Sequence, residues 1–129
     1  MELKNRLGLF AISLLATLIM LRTFLLFSPS SNLYIFGYNI HHLFIGSFLI
    51  VVLLVFLIFG ILNNFTIILA GISSSLVLDE IVYLMATDGS DASYLSSASL
   101  FGAIILTTII LILAIVLYIK KHKPKEWKK

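Results

Sequence analysis

The chain has 129 residues, of which 60% are hydrophobic and 12% are charged, and its formal net charge is +3. A soluble domain is about 45–50% apolar and about 25% charged, so this composition excludes an ordinary soluble globular domain. Because the chain has no cysteine, disulfides, thiolate metal sites and cysteine nucleophiles are also excluded. The basic residues flank apolar segments instead of forming one face of a domain, so we expect no nucleic-acid partner.

Four apolar segments are long enough to cross a lipid bilayer, whose hydrocarbon core of about 30 Å requires about 20 helical residues. Lipid offers no partner to backbone N–H and C=O groups, so each segment should be a helix. The sequence therefore predicts an all-α fold, an integral membrane four-helix bundle that forms one domain over residues 1–129. In chain order, the predicted spans are 7–27, 41–60, 65–85 and 95–119.

The distribution of lysine and arginine predicts how these spans are oriented. Lys4 and Arg6 precede the first span, six lysines follow the last span, and the two outer loops contain neither residue type. The positive-inside rule then places both termini in the cytoplasm. The basic tail, residues 120–129, is interpreted first as a determinant of this topology and second as a surface that contacts anionic lipids. The lipid-surface candidates in the tail are Lys120, Lys121, Lys123 and Trp127.

The first span could be confused with a secretory signal, because basic residues precede it. Its apolar run has about 21 residues, whereas the apolar region of a signal peptide has about 7–15, and no A-x-A cleavage site follows it. We therefore expect this segment to be retained as a membrane anchor.

Ionisable residues gather near the outer ends of the predicted spans. At a helical rise of about 1.5 Å per residue, Asp79 and Glu80 lie about 21–22 Å above the inner end of the third span. Arg22 lies about 22 Å above the inner end of the first span, and His41 and His42 open the second at about 27–28 Å. A charge at this depth requires a partner. We therefore expect Arg22 to pair with one acid and to leave the other for a different partner.

The second acid and the two histidines are candidate ligands for a divalent metal, because imidazole and carboxylate groups together form a common ligand set. Adjacent histidines in a helix point about 100° apart, so both can reach one ion only where the helix starts between them. Zinc, iron and manganese remain open as the metal. The candidate ligands are His41, His42, Asp79 and Glu80.

Small and polar residues spaced four apart predict that one face of the third span packs inside the bundle. Gly71 and Ser75 form a small-xxx-small pattern that allows another helix to approach closely. We expect Asp79 on this face to point into the bundle, with Tyr83 above it as a hydrogen-bond partner. Ser99, Ala103 and Thr107 have the same spacing in the fourth span and are expected to face it. The residues assigned to an ion pair or to the surroundings of a metal are Arg22, Asn39, Ser75 and Tyr83.

Two short blocks, GYNIHHLFIG at residues 37–46 and LDE at 78–80, carry a resemblance to a known pattern. They resemble small prokaryotic four-span membrane proteins of uncharacterised function, which have an H-x-H-H-x-x-x-G segment in one span and an L-D-E segment in the next. Asn39 stands where the first histidine of that pattern would be. The resemblance implies a site shared by the second and third spans. Asn39 weakens the case for a three-histidine metal centre, although an asparagine can still ligate a metal or form hydrogen bonds.

Three functions remain open from the sequence. In the first, His41, His42 and Glu80 hold a divalent cation at an outward-facing site, and whether the protein is an enzyme stays undecided. In the second, Asp79 or Glu80 carries protons or ions, which requires a homo-oligomer because four spans are few for a pathway. In the third, an Arg22–acid pair locks an accessory or scaffold subunit beside a partner membrane protein. We rank the cation site first.

Overall fold

The computed structural model of the protein describes residues 2–28, 34–36 and 38–122, and these residues are mostly helical. The predicted all-α class is confirmed, with one addition, a pair of two-residue strands that join in antiparallel register before the second long helix. In chain order, the elements are α1 (Leu3–Phe27), β1 (Tyr34–Ile35), β2 (Tyr38–Asn39), α2 (His42–Ile58), α3 (Asn64–Ala86), α4 (Asp91–Tyr94) and α5 (Ser97–His122).

Helix α3 is the element on which the other long helices pack. It contacts α1, α2 and α5, and α1 also contacts α5. The residues that α3 buries are mostly small or polar, so neighbouring helices can approach closely and meet polar groups when they do. Ser99, Ala103 and Thr107 are the buried residues of α5, as the sequence pattern predicts. The buried residues of α3 are Thr66, Gly71, Ser73, Ser75, Asp79, Glu80 and Tyr83.

The connection between α2 and α3 is short, and local features end the first helix and begin the second. Gly60 has a φ of +70°, in the left-handed region that a glycine enters without steric cost. Asn63 then begins α3 with a capping box, in which its side chain accepts from the backbone N–H of Thr66 at 3.1 Å. The Asn63 N–H in turn donates to the Thr66 hydroxyl at 2.9 Å. These bonds satisfy backbone groups that the first helical turn leaves without partners.

Three helices in the described part of the chain, α1, α3 and α5, are long and apolar enough to cross a membrane. Helix α2 is also apolar but has 17 residues, and it is shorter than the predicted span 41–60. The fourth predicted span starts later than expected, since α5 begins at Ser97 after the single-turn helix α4. Large apolar side chains cover the outer faces, among them Phe48 and Phe101, which are 66% and 62% exposed. An apolar surface this extensive is rare on soluble monomers.

The contact between α1 and α3 depends on the absence of a side chain at Gly71. A Cβ at this position would lie 2.7 Å from Ser13 Cβ and 2.8 Å from the Phe10 carbonyl oxygen. We expect Gly71→Ala to lower the free energy of unfolding by about 1–3 kcal/mol, because backbone atoms must move apart. Thermal unfolding in detergent, followed by far-UV circular dichroism, measures the loss.

Gly8→Ala is the matched control, since Gly8 lies on α1, the helix that faces Gly71, and a Cβ there meets no atom of the described residues within 4 Å. Alanine is also the better helix former, so this variant should be as stable as the parent or slightly more stable. Equal destabilisation by the two substitutions would contradict the close packing of α1 against α3.

Candidate functional site

The candidate site is built around a buried ion pair between Arg22 of α1 and Asp79 of α3. Arg22 Nε donates to Asp79 Oδ1 at 2.5 Å, and Asp79 is fully buried. The other guanidinium nitrogens donate to the Tyr94 carbonyl at 2.8 Å and to the Ser99 hydroxyl at 3.0 Å. The guanidinium carbon also lies 4.3 Å from the centroid of the Tyr94 ring, in a cation–π contact. The predicted pairing of Arg22 with one acid is confirmed, and the acid is Asp79.

Tyr94 is the member of the site that the sequence analysis missed. Its hydroxyl donates to Asp79 Oδ2, and burial raises the pKa of this hydroxyl, with a further rise from the Asp79 carboxylate. The phenol therefore stays protonated and remains a donor. The expected phenol, Tyr83, instead donates to the Gly89 carbonyl at 2.5 Å and packs its ring against that of Tyr94. Tyr94 is the one aromatic residue in positions 87–96, which is the signal that could have identified it.

Glu80, the second acid, faces α2 and caps the beginning of that helix. Glu80 Oε2 accepts from the backbone N–H of Leu43 at 2.5 Å, and Oε1 lies 2.5 Å from His41 Nδ1. The residue at the helix start, His41, provides no side-chain cap of its own. A carboxylate at this position satisfies a free N–H group and interacts favourably with the positive end of the helix dipole. Arg22 thus pairs with Asp79 and the start of α2 with Glu80, as the angular separation of the acids on α3 predicts, and His42 contacts both acids.

The two histidines reach the acids because α2 starts between them. His41 has extended backbone angles of φ −67° and ψ 144°, and the helix begins at His42. Both Nδ1 atoms consequently face the carboxylate of Glu80, at 2.5 Å from Oε1 for His41 and 3.2 Å from Oε2 for His42. The other nitrogen of His42, Nε2, lies 3.1 Å from Asp79 Oδ2. His42 therefore bridges the two carboxylates. The predicted span begins at His41, whereas the helix begins at His42, and this start between the two histidines is the arrangement that lets both reach one partner.

The valence of imidazole limits what His42 can do in this bridge. A neutral imidazole carries one N–H and one lone pair, so it can donate to only one of the two carboxylates that it contacts. The nitrogen that carries the hydrogen depends on the tautomer. The other contact, 3.1 Å to Asp79 Oδ2 or 3.2 Å to Glu80 Oε2, is favourable where a proton or a metal cation lies between its two atoms.

The remaining predicted residues lie at the edge of the site or away from it. Asn39 ends β2, two residues before His41. Ser75 is fully buried one turn before Asp79, and its hydroxyl has no hydrogen-bond partner within the described residues. Lys120 and Lys121 lie in the last turn of α5, at the opposite end of that helix from the site. Lys123 and Trp127 are outside the described residues.

Comparisons with protein families, with curated proteins and with solved structures find no match to this chain. Function is therefore argued from the chemistry of the site. In the part of the chain that the structure describes, no group of three or more His, Asp or Glu side chains is arranged to hold a metal ion. The imidazole nitrogens and the carboxylate oxygens instead contact one another directly, at the distances given above. The predicted metal ligands are thus brought together, but in hydrogen-bonded form.

The buried ion pair should be important for stability, because removing one partner leaves the other charge uncompensated. We expect Arg22→Met to lower the free energy of unfolding by about 3–5 kcal/mol, since Asp79 keeps its burial and loses its cation. The double variant Arg22→Met/Asp79→Asn should recover part of this loss, because the charge is removed with its partner. Unfolding in detergent, followed by circular dichroism, measures both variants.

Arg6→Met is the control for this comparison. Arg6 lies on the same helix as Arg22 and forms no ion pair within the described residues. This substitution removes the same charge and side-chain type as Arg22→Met but breaks no ion pair, so it should cost far less stability. A double variant that is less stable than Arg22→Met alone would show that the Arg22–Asp79 contact does not carry the effect.

Proposed function

We propose that the protein is an integral membrane protein of four spans, with both termini in the cytoplasm. Three of its long helices have the length and apolar composition to cross a bilayer. At about 1.5 Å per residue, the 17 residues of α2 measure about 25 Å, at the short end of the range for a spanning helix. Lysine and arginine residues at the ends of α1 and α5 support the orientation.

This topology can be tested by single-cysteine labelling, since the chain has no cysteine of its own. Asp88 lies between α3 and α4, and Ile61 lies between α2 and α3, and both are exposed. In intact cells a membrane-impermeant maleimide should label Asp88→Cys and should label Ile61→Cys only after permeabilisation. The reverse pattern would show that the topology is the opposite of the proposed one. Labelling of both variants in intact cells would contradict membrane insertion of α2 and α3.

At the outer end of the bundle, we propose a divalent-cation site formed by His41, His42 and Glu80. The observation that carries this proposal is that Nδ1 of both histidines faces the two oxygens of one carboxylate. Two imidazoles and a carboxylate are a ligand set for zinc when a water fills the fourth position, and for iron when further positions stay open.

Asp79 would act on this ion through His42 and not as a ligand. Metal-bound histidines usually donate their other N–H to a carboxylate, which fixes the tautomer and orients the ring. His42 Nε2 has this relation to Asp79 at 3.1 Å, and Arg22 and Tyr94 hold the carboxylate in place. The support thus extends from α2 through α3 to α1 and α4.

An ion would enter between Glu80 and the two imidazoles, where it would replace their direct contacts. Donors bound to zinc lie about 2.0–2.2 Å from the metal. The present 2.5 Å contact between His41 Nδ1 and Glu80 Oε1 leaves no room for an ion, so His41 must turn away from Glu80. The His41 side chain is 27% exposed, whereas that of Glu80 is 2% exposed, so the histidine can move towards the outer surface. Because ligands must be deprotonated, binding should weaken as the pH falls.

Metal content separates this proposal from its alternatives. We expect zinc or manganese titrated into the detergent-purified protein to bind at about one ion per chain, measured by calorimetry and by elemental analysis after desalting. His42→Ala and Glu80→Gln should each lower the affinity by more than the tenfold to hundredfold typical of losing a supporting residue.

The matched control for metal binding is His122→Ala. His122 is an exposed histidine at the end of α5, with its Nδ1 3.1 Å from the Tyr118 carbonyl oxygen. This variant should bind the ion as tightly as the parent. Loss of binding in His122→Ala, or equal binding by the parent and Glu80→Gln, would refute the proposed ligand set.

A second function is favoured by the contacts of Arg22, which reach α3, α4 and α5 from α1. In this case the network stabilises the arrangement of helices in a scaffold or accessory subunit. A parent protein that binds no metal but loses stability in Arg22→Met would support it. Ion or proton transport has less support, because Asp79 already contacts Arg22, His42 and Tyr94.

A further inference from the structure

A groove lies at the end of the molecule opposite to the proposed cation site. It has a volume of about 340 Å³ and is bounded by the start of α1, the residues around the start of α3 and the end of α5. Two cationic side chains, Arg6 and Lys121, line it together with the phenol of Tyr118. The rest of its lining is apolar and includes Phe10 and Ala114. We call this feature the α1–α5 groove.

Arg6 is the residue that points to a ligand. Its Nε is buried, and no hydrogen-bond partner for this atom exists within the described residues. A guanidinium has five N–H donors, no acceptor and a permanent charge, so it cannot avoid the cost of a missing partner by losing its proton. A group with several anionic oxygens would satisfy it, and phosphate matches the planar fork of an arginine especially well. Lys121 supplies a second positive charge in the same groove.

The apolar lining indicates which chemical group a ligand would need beside a phosphate at Arg6. Along α5, Ala114 lies seven residues before Lys121, which is about 10 Å at the helical rise. Along α1, Phe10 lies one turn beyond Arg6 in the direction of the bundle centre. The groove therefore runs from a cationic mouth into an apolar interior. A ligand that fills both parts has an anionic head and a hydrocarbon chain.

We propose that the α1–α5 groove binds one anionic phospholipid, with its phosphate on Arg6 and Lys121 and an acyl chain along the apolar lining. The inference rests on the proposed membrane insertion and orientation, which place this end in the anionic cytoplasmic leaflet, and it is independent of the cation site. A second copy of the chain is a poorer occupant, because a symmetric contact would bring its Arg6 and Lys121 against the same cations. A free phosphate would leave the apolar lining uncovered.

The experiment measures lipid binding to the full chain in detergent by native mass spectrometry. The probes are phosphatidylglycerol, phosphatidylcholine and water-soluble glycerol 3-phosphate. We expect phosphatidylglycerol to bind at one molecule per chain and at least about tenfold more tightly than phosphatidylcholine. The reason is that phosphatidylglycerol has a net negative charge and phosphatidylcholine does not. Glycerol 3-phosphate should not displace it. Displacement by glycerol 3-phosphate would overturn the lipid assignment in favour of a phosphate site.

Charge-matched variants separate a built site from general attraction to a basic surface. Arg6→Gln and Lys121→Gln remove cations from the groove, whereas Lys4→Gln removes the same charge from a neighbouring position outside its lining. The first two variants should each weaken phosphatidylglycerol binding by about tenfold, and Lys4→Gln should change it by much less. Equal losses in all three variants would overturn the proposal.

A substitution without a charge change tests the apolar part of the groove. Ala114→Phe fills the lining, and Ala16→Phe adds the same bulk at an exposed position of α1. Only Ala114→Phe should reduce lipid binding, and binding unchanged in that variant would overturn the acyl-chain placement.

Carbonate extraction of membranes, run on every variant, distinguishes failure of the proposed membrane insertion from failure of the proposed lipid site. A parent chain that is not retained in membranes refutes membrane insertion itself, whereas a retained chain without lipid selectivity refutes this inference alone.

Discussion

The arrangement of this protein depends on the compensation of two adjacent carboxylates in the second half of its most buried helix. Asp79 and Glu80 are 0% and 1% exposed, and a buried carboxylate is costly unless it is paired and hydrogen-bonded. The two acids therefore have different main partners and share His42. Asp79 also contacts Arg22 of α1 and Tyr94 of α4, whereas Glu80 contacts His41 and the Leu43 N–H at the beginning of α2. Helices α1, α2, α3 and α4 therefore meet at the hydrogen bonds and ion pairs of these two carboxylates.

His42 joins the two halves of this network, because it touches both acids with its two ring nitrogens. One side of the bridge ends on Asp79, which Arg22 already neutralises. The other side ends on Glu80, whose carboxylate is contacted by both histidines. This difference separates the structural part of the network from the part for which we propose metal binding. The chemically adaptable contact is the one nearest to the partly exposed His41.

The two ends of the bundle combine charge and apolar surface in different ways. At one end, cations and anions satisfy one another in a closed network, so a ligand must compete with existing hydrogen bonds. At the other end, Arg6 and Lys121 line an apolar groove, and the buried Nε of Arg6 lacks an acceptor within the described residues. A ligand there would complete unsatisfied groups instead of displacing satisfied ones. For this reason the two proposed sites differ in the probe that each requires.

The sequence by itself determined the helical class, the small-residue face of α3 and the need for Arg22 to meet an acid, because burial, periodicity and charge act locally. It also predicted that a helix start between His41 and His42 would let both reach one partner. Only the tertiary structure decided that Asp79 takes the arginine and that Glu80 caps α2, since two acids 100° apart have equal claims until the neighbouring helices are placed. Tyr94 entered the site for the same reason, because the turn that carries it is positioned by contacts distant in sequence.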